Sequence, residues 1–312
     1  MEFLIYLING ISLGSIYAII ALGYTMVYGI ARMLNFAHGD IIMIGGYVSF
    51  ICFTSLKLST ITSIVLSIIA CTILGVIIER LAYKPLRQAS SLSVLITAIG
   101  VSYFLQNSAQ LVFGAEMKMY PSLLPSGNFK IFNGQLSISY VTIITILTCI
   151  IVMISLTLFV KKTKLGKAMR ACSEDKGAAS LMGINVNSTI SLTFAIGSSL
   201  AAVASILLCS CYPSLSNTLG SLPGIKAFTA AVFGGIGSIP GAFIGGLLLG
   251  IIEVLSKAYI STHLSDMIVF AILIIVLLIK PTGLLGKKNI EKVWCLRNYL
   301  IDHIYLEQHL IL

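Results

Sequence analysis

Charge is what this sequence has least of. Only 10% of its 312 residues are Asp, Glu, Lys or Arg, while 57% are hydrophobic and the mean hydropathy is +1.01. Soluble domains average about 25% charged and about 45–50% apolar residues. The departure on both counts excludes an ordinary soluble enzyme and points to a polytopic membrane protein. Chemical signatures are missing as well. No C-x-x-C pair, no H-E-x-x-H, no G-x-x-x-x-G-K-[ST] phosphate loop and no Ser/His/Asp or Cys/His spacing suited to catalysis occurs. Most of the seven Cys lie inside apolar runs, where Cys behaves as a small hydrophobe, and Cys209 and Cys211 are too close for a disulfide framework. The sequence therefore predicts no catalytic residue, no metal and no cofactor. The net charge of +9 does not imply nucleic acid, because the basic residues fall between apolar spans rather than on one soluble face. No cleavable leader is expected, since Glu2 is followed directly by an apolar span.

What is present is hydrophobic length. A helix needs about 20 apolar residues to cross a bilayer. Runs 4–30, 41–58, 61–81, 91–113, 140–160, 189–211 and 264–279 read as seven crossings. The glycine-rich stretch 223–257 reads as two shorter helices broken near 234–238, which cross or re-enter. The predicted fold class is thus all-α, with about eight transmembrane helices forming one membrane domain over 1–290 and a mildly amphipathic tail over 291–312. Of 20 Lys/Arg, fifteen fall at 32, in loop 79–88, in loop 161–187 and from 280 onward. The positive-inside rule makes these regions cytoplasmic, with the C-terminus inside and the N-terminus outside. Loop 114–139 then lies outside, linking two helices or touching an external partner.

Loop 161–187 is a charged island, with six Lys/Arg and two acids. Ser173 is a candidate cap for a short helix whose first turn holds Glu174 and Asp175, with Gly183 as its stop. Ala178, Leu181 and Met182 share one face of that helix. It lies on the bilayer surface or forms a knob for a soluble subunit. Residues 33–40, MLNFAHGD, place Asn35, His38, Gly39 and Asp40 between two apolar runs. They form either an ordinary turn capped by Asn35 or Asp40, or a polar break lining a pathway. Gly237, Gly241 and Gly245 are spaced by four, as are Gly246 and Gly250, a spacing that lets helix backbones approach closely in lipid. Ser238 followed by Pro240 signals a helix start. Glu253 is an acid in an apolar run, read as an i, i+4 partner of Lys257 at the membrane interface.

Several segments together resemble a known family. Residues 9–50, beginning NGISLGSIYAIIALGYTM and including LNFAHGD, resemble the first permease subunit of branched-chain amino acid ABC importers. So do RACSEDKGAASLMGIN and LTFAIG within 169–201, GIKAFTAAVFGGIGSIPGAFIGGLLLGIIE at 224–253, and PTGLLG at 281–286. The resemblance covers about residues 5–290. Permeases for urea and short amides share the N-x-A-H-G-[DE] segment. The tail beyond 294 is longer than the family usually carries. The resemblance implies a multi-pass subunit of the cytoplasmic (inner) membrane without its own nucleotide site. Its implied partners are a second permease, two cytoplasmic ATPases and an extracytoplasmic binding protein. It implies that the helix at 173–183 docks into the ATPases, and that 35–40 belongs to a central pathway. An ion-coupled transporter would need acids paired near the midplane, and the sequence offers only Asp40 and Glu253.

Overall fold

A computed structural model describes residues 2–87, 89–125, 127–131 and 136–286. The predicted tail, 291–312, lies outside the described residues. Among the described residues six helices are long and apolar enough to cross a membrane: α1 (Glu2–Ala31), α3 with its final π-helical turn (Thr60–Tyr83), α4 (Ser91–Phe113), α5 (Tyr140–Lys162), α8 (Val186–Cys211) and α10 (Ile239–Tyr259). Three shorter helices complete the bundle: α2 (His38–Thr54), α9 (Ser221–Gly234) and α11 (Ser265–Ile279). Two more, α6 (Lys164–Glu174) and α7 (Lys176–Leu181), occupy the charged island. The seven runs and the broken glycine-rich pair thus account for nine helices of the membrane bundle.

Helix starts follow the capping rule. Ser59, Ser90, Ser139, Thr163, Asn185 and Ser238 each accept a hydrogen bond from a first-turn amide, opening α3, α4, α5, α6, α8 and α10. Two expectations need correction, at 79–83 and in the charged island. Residues 79–83 are not loop: they continue α3 as a π turn, which brings Glu79 into the interior. The island holds two helices rather than one, and Asp175, not Ser173, caps the second. Its carboxylate accepts from the N–H groups of Gly177 and Ala178 (2.7 and 3.0 Å), whereas the Ser173 hydroxyl donates back to Arg170 O within α6. A carboxylate outcompetes a hydroxyl as acceptor for two amides. Loop 114–139 contains short strands: β2 (Asn128–Ile131) pairs antiparallel with β3 (Leu136–Ser139), and β1 (Lys118–Met119) pairs with β4 (Ser214–Leu215).

Helix α1 is apolar on all sides and its middle is almost wholly buried, so it forms the axis of the bundle, packed by α5, α8, α9 and α10. Its approach to α10 is set by glycine. A β-carbon on Gly14 would lie 2.7 Å from Leu247 O, one on Gly10 2.9 Å from Ile251 Cα, and one on Gly246 would overlap Ala18. The two glycine rows of α10 serve different neighbours. Gly246 and Gly250 face α1, while Gly241 and Gly245 face α9 at Gly234 and Ala230. Gly237 is not in the helix. It lies in the break between α9 and α10 with φ +89°, a left-handed conformation that suits glycine, close to Gly29 of α1.

Helix α2 does not begin where α1 ends. His38 packs against Gly23 and Tyr24, with ring centroids of Tyr24 and His38 4.6 Å apart. Residues 32–37 therefore turn back by about two turns of α1, roughly 12 Å. The capped-turn reading of 33–40 is corrected: Ala37 precedes α2 without a side-chain cap, and Asn35 is buried, accepting from the Tyr83 hydroxyl at 2.9 Å. Helix α9 starts at the same depth. A β-carbon on Gly39 would lie 2.6 Å from Gly220 O. The N-termini of α2 and α9 thus meet inside the bundle, and the two helices run away from each other.

Close backbone approach carries a direct test. Gly250→Leu should force α1 and α10 apart and abolish a monodisperse protein in detergent, measured by size-exclusion chromatography and thermal unfolding. Gly100→Ala, at a helical glycine with open space around it, should be neutral or stabilising by about 0.5–1 kcal/mol.

Candidate functional site

The meeting point of α2 and α9 is the polar centre of the molecule. Asp40 lies in the first turn of α2, where an acid is favoured by the positive helix end. Its Oδ1 accepts from Gln106 Nε2 of α4 at 2.8 Å, and the same amide reaches Ser102 and Ser221 at 3.3 Å. Among the described residues no cation pairs with Asp40. These groups line a cleft of about 280 Å³ together with Tyr24, Phe36, Gly39, Ile99, Tyr103, Gly224 and Ile225. Ile99, Tyr103 and Ile225 are exposed, so the cleft opens to the side of the bundle. Its lining residues combine one carboxylate, four hydroxyls (Tyr24, Ser102, Tyr103 and Ser221), an amide and apolar walls. Of the sequence candidates, Gly39 and Asp40 line it. Asn35 and His38 sit behind it, with Asn35 Nδ2 and His38 Nε2 buried and lacking protein partners.

The island helices contact the segment that leads to this cleft. Arg32, with φ +57°, donates to Ser173 O at 3.0 Å, and Lys176 Nζ donates to Ala31 O at 2.8 Å. Burial and the nearby charges of Arg32 and Arg87 hold the Lys176 ammonium below its ordinary pKa. Glu174 is exposed, and Asp175 caps α7. Helix α7 ends at Leu181, and Gly183, just past its Met182 cap, has φ +79°. Ala178, Leu181 and Met182 all face outward, the last two 91% and 82% exposed.

A third cluster corrects the reading of Glu253. It does bond Lys257, at 2.6 Å, but it is buried rather than interfacial. Its Oε1 also accepts from Lys226 of α9 at 2.8 Å, and its Oε2 from the Tyr17 hydroxyl of α1 at 2.9 Å. Lys226 reaches on to Asp266 of α11 at 2.7 Å. Two cations and two carboxylates balance, so each charge removed from water has a partner. Sequence reasoning missed Lys226, although it is the only charged residue between Lys176 and Glu253. An isolated lysine in so long an apolar stretch is itself a signal of a buried counter-ion. Gln106, Ser102 and Ser221 were also missed, because isolated polar residues in apolar spans are common. Among the described residues no three His, Cys, Asp or Glu side chains come together as a metal site.

Comparison with known proteins adds the family. Residues 6–277 match the family described as "Branched-chain amino acid transport system / permease component". The chain is 48% identical over 303 residues to the high-affinity branched-chain amino acid transport system permease protein BraD of Pseudomonas aeruginosa. That alignment covers 94% of this chain and 98% of the relative. It is 47% identical over 304 residues to the permease protein LivH of Escherichia coli K12, with the same coverage. A probable branched-chain amino acid transport permease of Methanocaldococcus jannaschii is 30% identical over 86% of this chain and 88% of its own length.

The ion cluster yields a stability prediction. Lys226→Met leaves buried Glu253 with only Lys257 and the Tyr17 hydroxyl, and should destabilise the protein by about 1.5–3 kcal/mol. Adding Glu253→Gln should restore part of that loss, as read by a double-mutant cycle on unfolding in detergent.

Proposed function

The chain belongs to the branched-chain amino acid transport permease family, and we propose that it is the membrane subunit through which an ATP-driven importer moves leucine, isoleucine or valine. The observation that carries the substrate class is Asp40: a carboxylate inside the bundle, with no cation beside it among the described residues, facing a cleft. An α-amino acid supplies the missing ammonium. Its own carboxylate is favoured by the converging N-termini of α2 and α9, which carry partial positive charge. The apolar walls at Phe36, Ile99 and Ile225 suit an aliphatic side chain. Urea and short amides carry no charge to answer Asp40.

In this reading the exposed side of the cleft, at Ile99, Tyr103 and Ile225, is closed by a second permease. An extracytoplasmic binding protein delivers substrate on the side of β1–β4. The basic end of the bundle faces the cytoplasm, with the N-terminus outside and the C-terminus inside, in the inner membrane. Two ATPase subunits hold and hydrolyse the nucleotide, and this chain performs no chemistry of its own. They grip Ala178, Leu181 and Met182 on α7, and their closure moves α6 and α7. Because Arg32 and Lys176 tie these helices to the end of α1 and to residues 32–37, that movement reaches the start of α2 and changes access to Asp40. Transport is alternating access driven from the cytoplasmic side.

Two sets of variants test this. In vesicles holding the complete importer, Asp40→Asn should lower uptake of labelled leucine roughly 10–100-fold, the value of one charge-assisted hydrogen bond. Uptake of leucine without ATP, or uptake of labelled urea instead, would refute the importer mechanism or the substrate respectively. Gly183→Pro, which the positive φ forbids, and Ala178→Asp should leave membrane insertion intact while separating ATP hydrolysis from transport. Normal coupling in both would remove the docking role of α7.

A further inference from the structure

A pocket of about 450 Å³ lies on the α6–α7 side of the bundle, away from the Asp40 cleft. It is lined by Arg80, Lys84, Asn185, Asn187, Ser188 and Ser191. Arg80 and Lys84 belong to the π turn that ends α3 and to its cap, and both are exposed. The acid nearest in sequence is already committed. Glu79 is buried and bonded by Arg87 and by the Ser191 hydroxyl, the latter at 2.6 Å. Arg87 is further held by Asn187. Arg80 and Lys84 have no acid partner among the described residues. Two uncompensated cations therefore face the hydroxyl and amide groups at the N-terminal turn of α8, whose helix end adds partial positive charge.

The helix leading to this pocket is apolar and bare. Ile61, Val65, Ile69, Ile73, Ile77 and Leu81 recur every fourth residue along α3, and all are exposed. The 24 residues of this helix extend about 36 Å, enough to cross the hydrocarbon core and reach headgroup depth. An apolar ladder ending in two free cations beside four polar side chains matches one ligand class in particular, with acyl chains on the ladder and a phosphate at its end.

We propose that Arg80 and Lys84, with Asn185, Asn187 and Ser188, form a binding site for the phosphate of an anionic phospholipid in the leaflet on the α6–α7 side. The acyl chains lie along Ile73, Ile77 and Leu81. Because the site joins the end of α3 to the start of α8, and α8 follows directly from α7, a bound lipid braces the root of the island helices.

The assembled importer, in nanodiscs of phosphatidylcholine containing a minor fraction of photoactivatable phosphatidylglycerol, tests this. Crosslinks should map to the 73–84 and 185–191 segments. They should fall roughly tenfold in the double variant Arg80→Gln/Lys84→Gln. They should persist in Arg80→Lys/Lys84→Arg, which preserves charge and confirms that folding is intact. They should also persist in Lys161→Gln/Lys162→Gln, which removes two exposed cations at the end of α5. An equal fall in that control would reduce the effect to general surface attraction and overturn the proposal. So would crosslinks in the isolated chain that vanish in the assembled importer, since a partner subunit would then cover the pocket. Displacement of the lipid by millimolar inorganic phosphate would assign the pocket to a free anion and overturn the lipid assignment.

Discussion

The architecture depends on how closely α1 and α10 approach. In lipid there is little hydrophobic drive between helices, so association rests on packing, and packing rests on backbones that touch. Gly10 and Gly14 of α1 and Gly246 and Gly250 of α10 remove the side chains that would hold the two apart. The second row on α10, Gly241 and Gly245, does the same toward α9. One helix is thereby fitted between two neighbours through two faces. The Tyr17–Glu253–Lys226–Asp266 chain, buried at Glu253 and Lys226, then joins α1, α9, α10 and α11 by directional bonds that packing alone does not provide.

On this frame the chain places two helices that begin in the interior. Starting α2 and α9 at mid-depth leaves irregular backbone where lipid would penalise it, and the penalty is met by burial within the protein. The result is a polar cleft whose acid sits at one helix start and whose serine sits at the other. The same connecting segment, 32–37, meets the island helices through Arg32 and Lys176. Distance between the outer knob and the inner acid is bridged by a short stretch of backbone rather than by a diffuse path through the core.

Much of this was legible in the sequence, and the parts that were not share a cause. Hydropathy located the nine helices of the bundle among the described residues, and the run Gly234 to Ser238 located the break between α9 and α10, because length and glycine content act locally. The capping residue of α7 was misread because Ser173 and Asp175 are both good cap types two positions apart, and only geometry decides between them. The π turn at 79–83 was read as loop because charge at the end of a span usually marks the exit from the membrane, whereas Glu79 turns inward to Arg87 and Ser191. Lys226 and Gln106 escaped notice because their partners, Glu253 and Asp40, lie far away in sequence. Long-range pairing of polar groups is the one thing a local pattern does not encode.

The break after α9 is closed from the far end of the chain. The carbonyls of Phe233 and Gly234 accept from the N–H groups of Leu284 and Leu285, each at 2.9 Å, and Gly283 has the positive φ that lets the strand turn onto them. Those acceptors have no such donors until α11 and the residues that follow it have been made. During synthesis the α9–α10 pair therefore waits with two carbonyls exposed, and the segment that follows α11 acts as the latch that finishes a turn translated well before it.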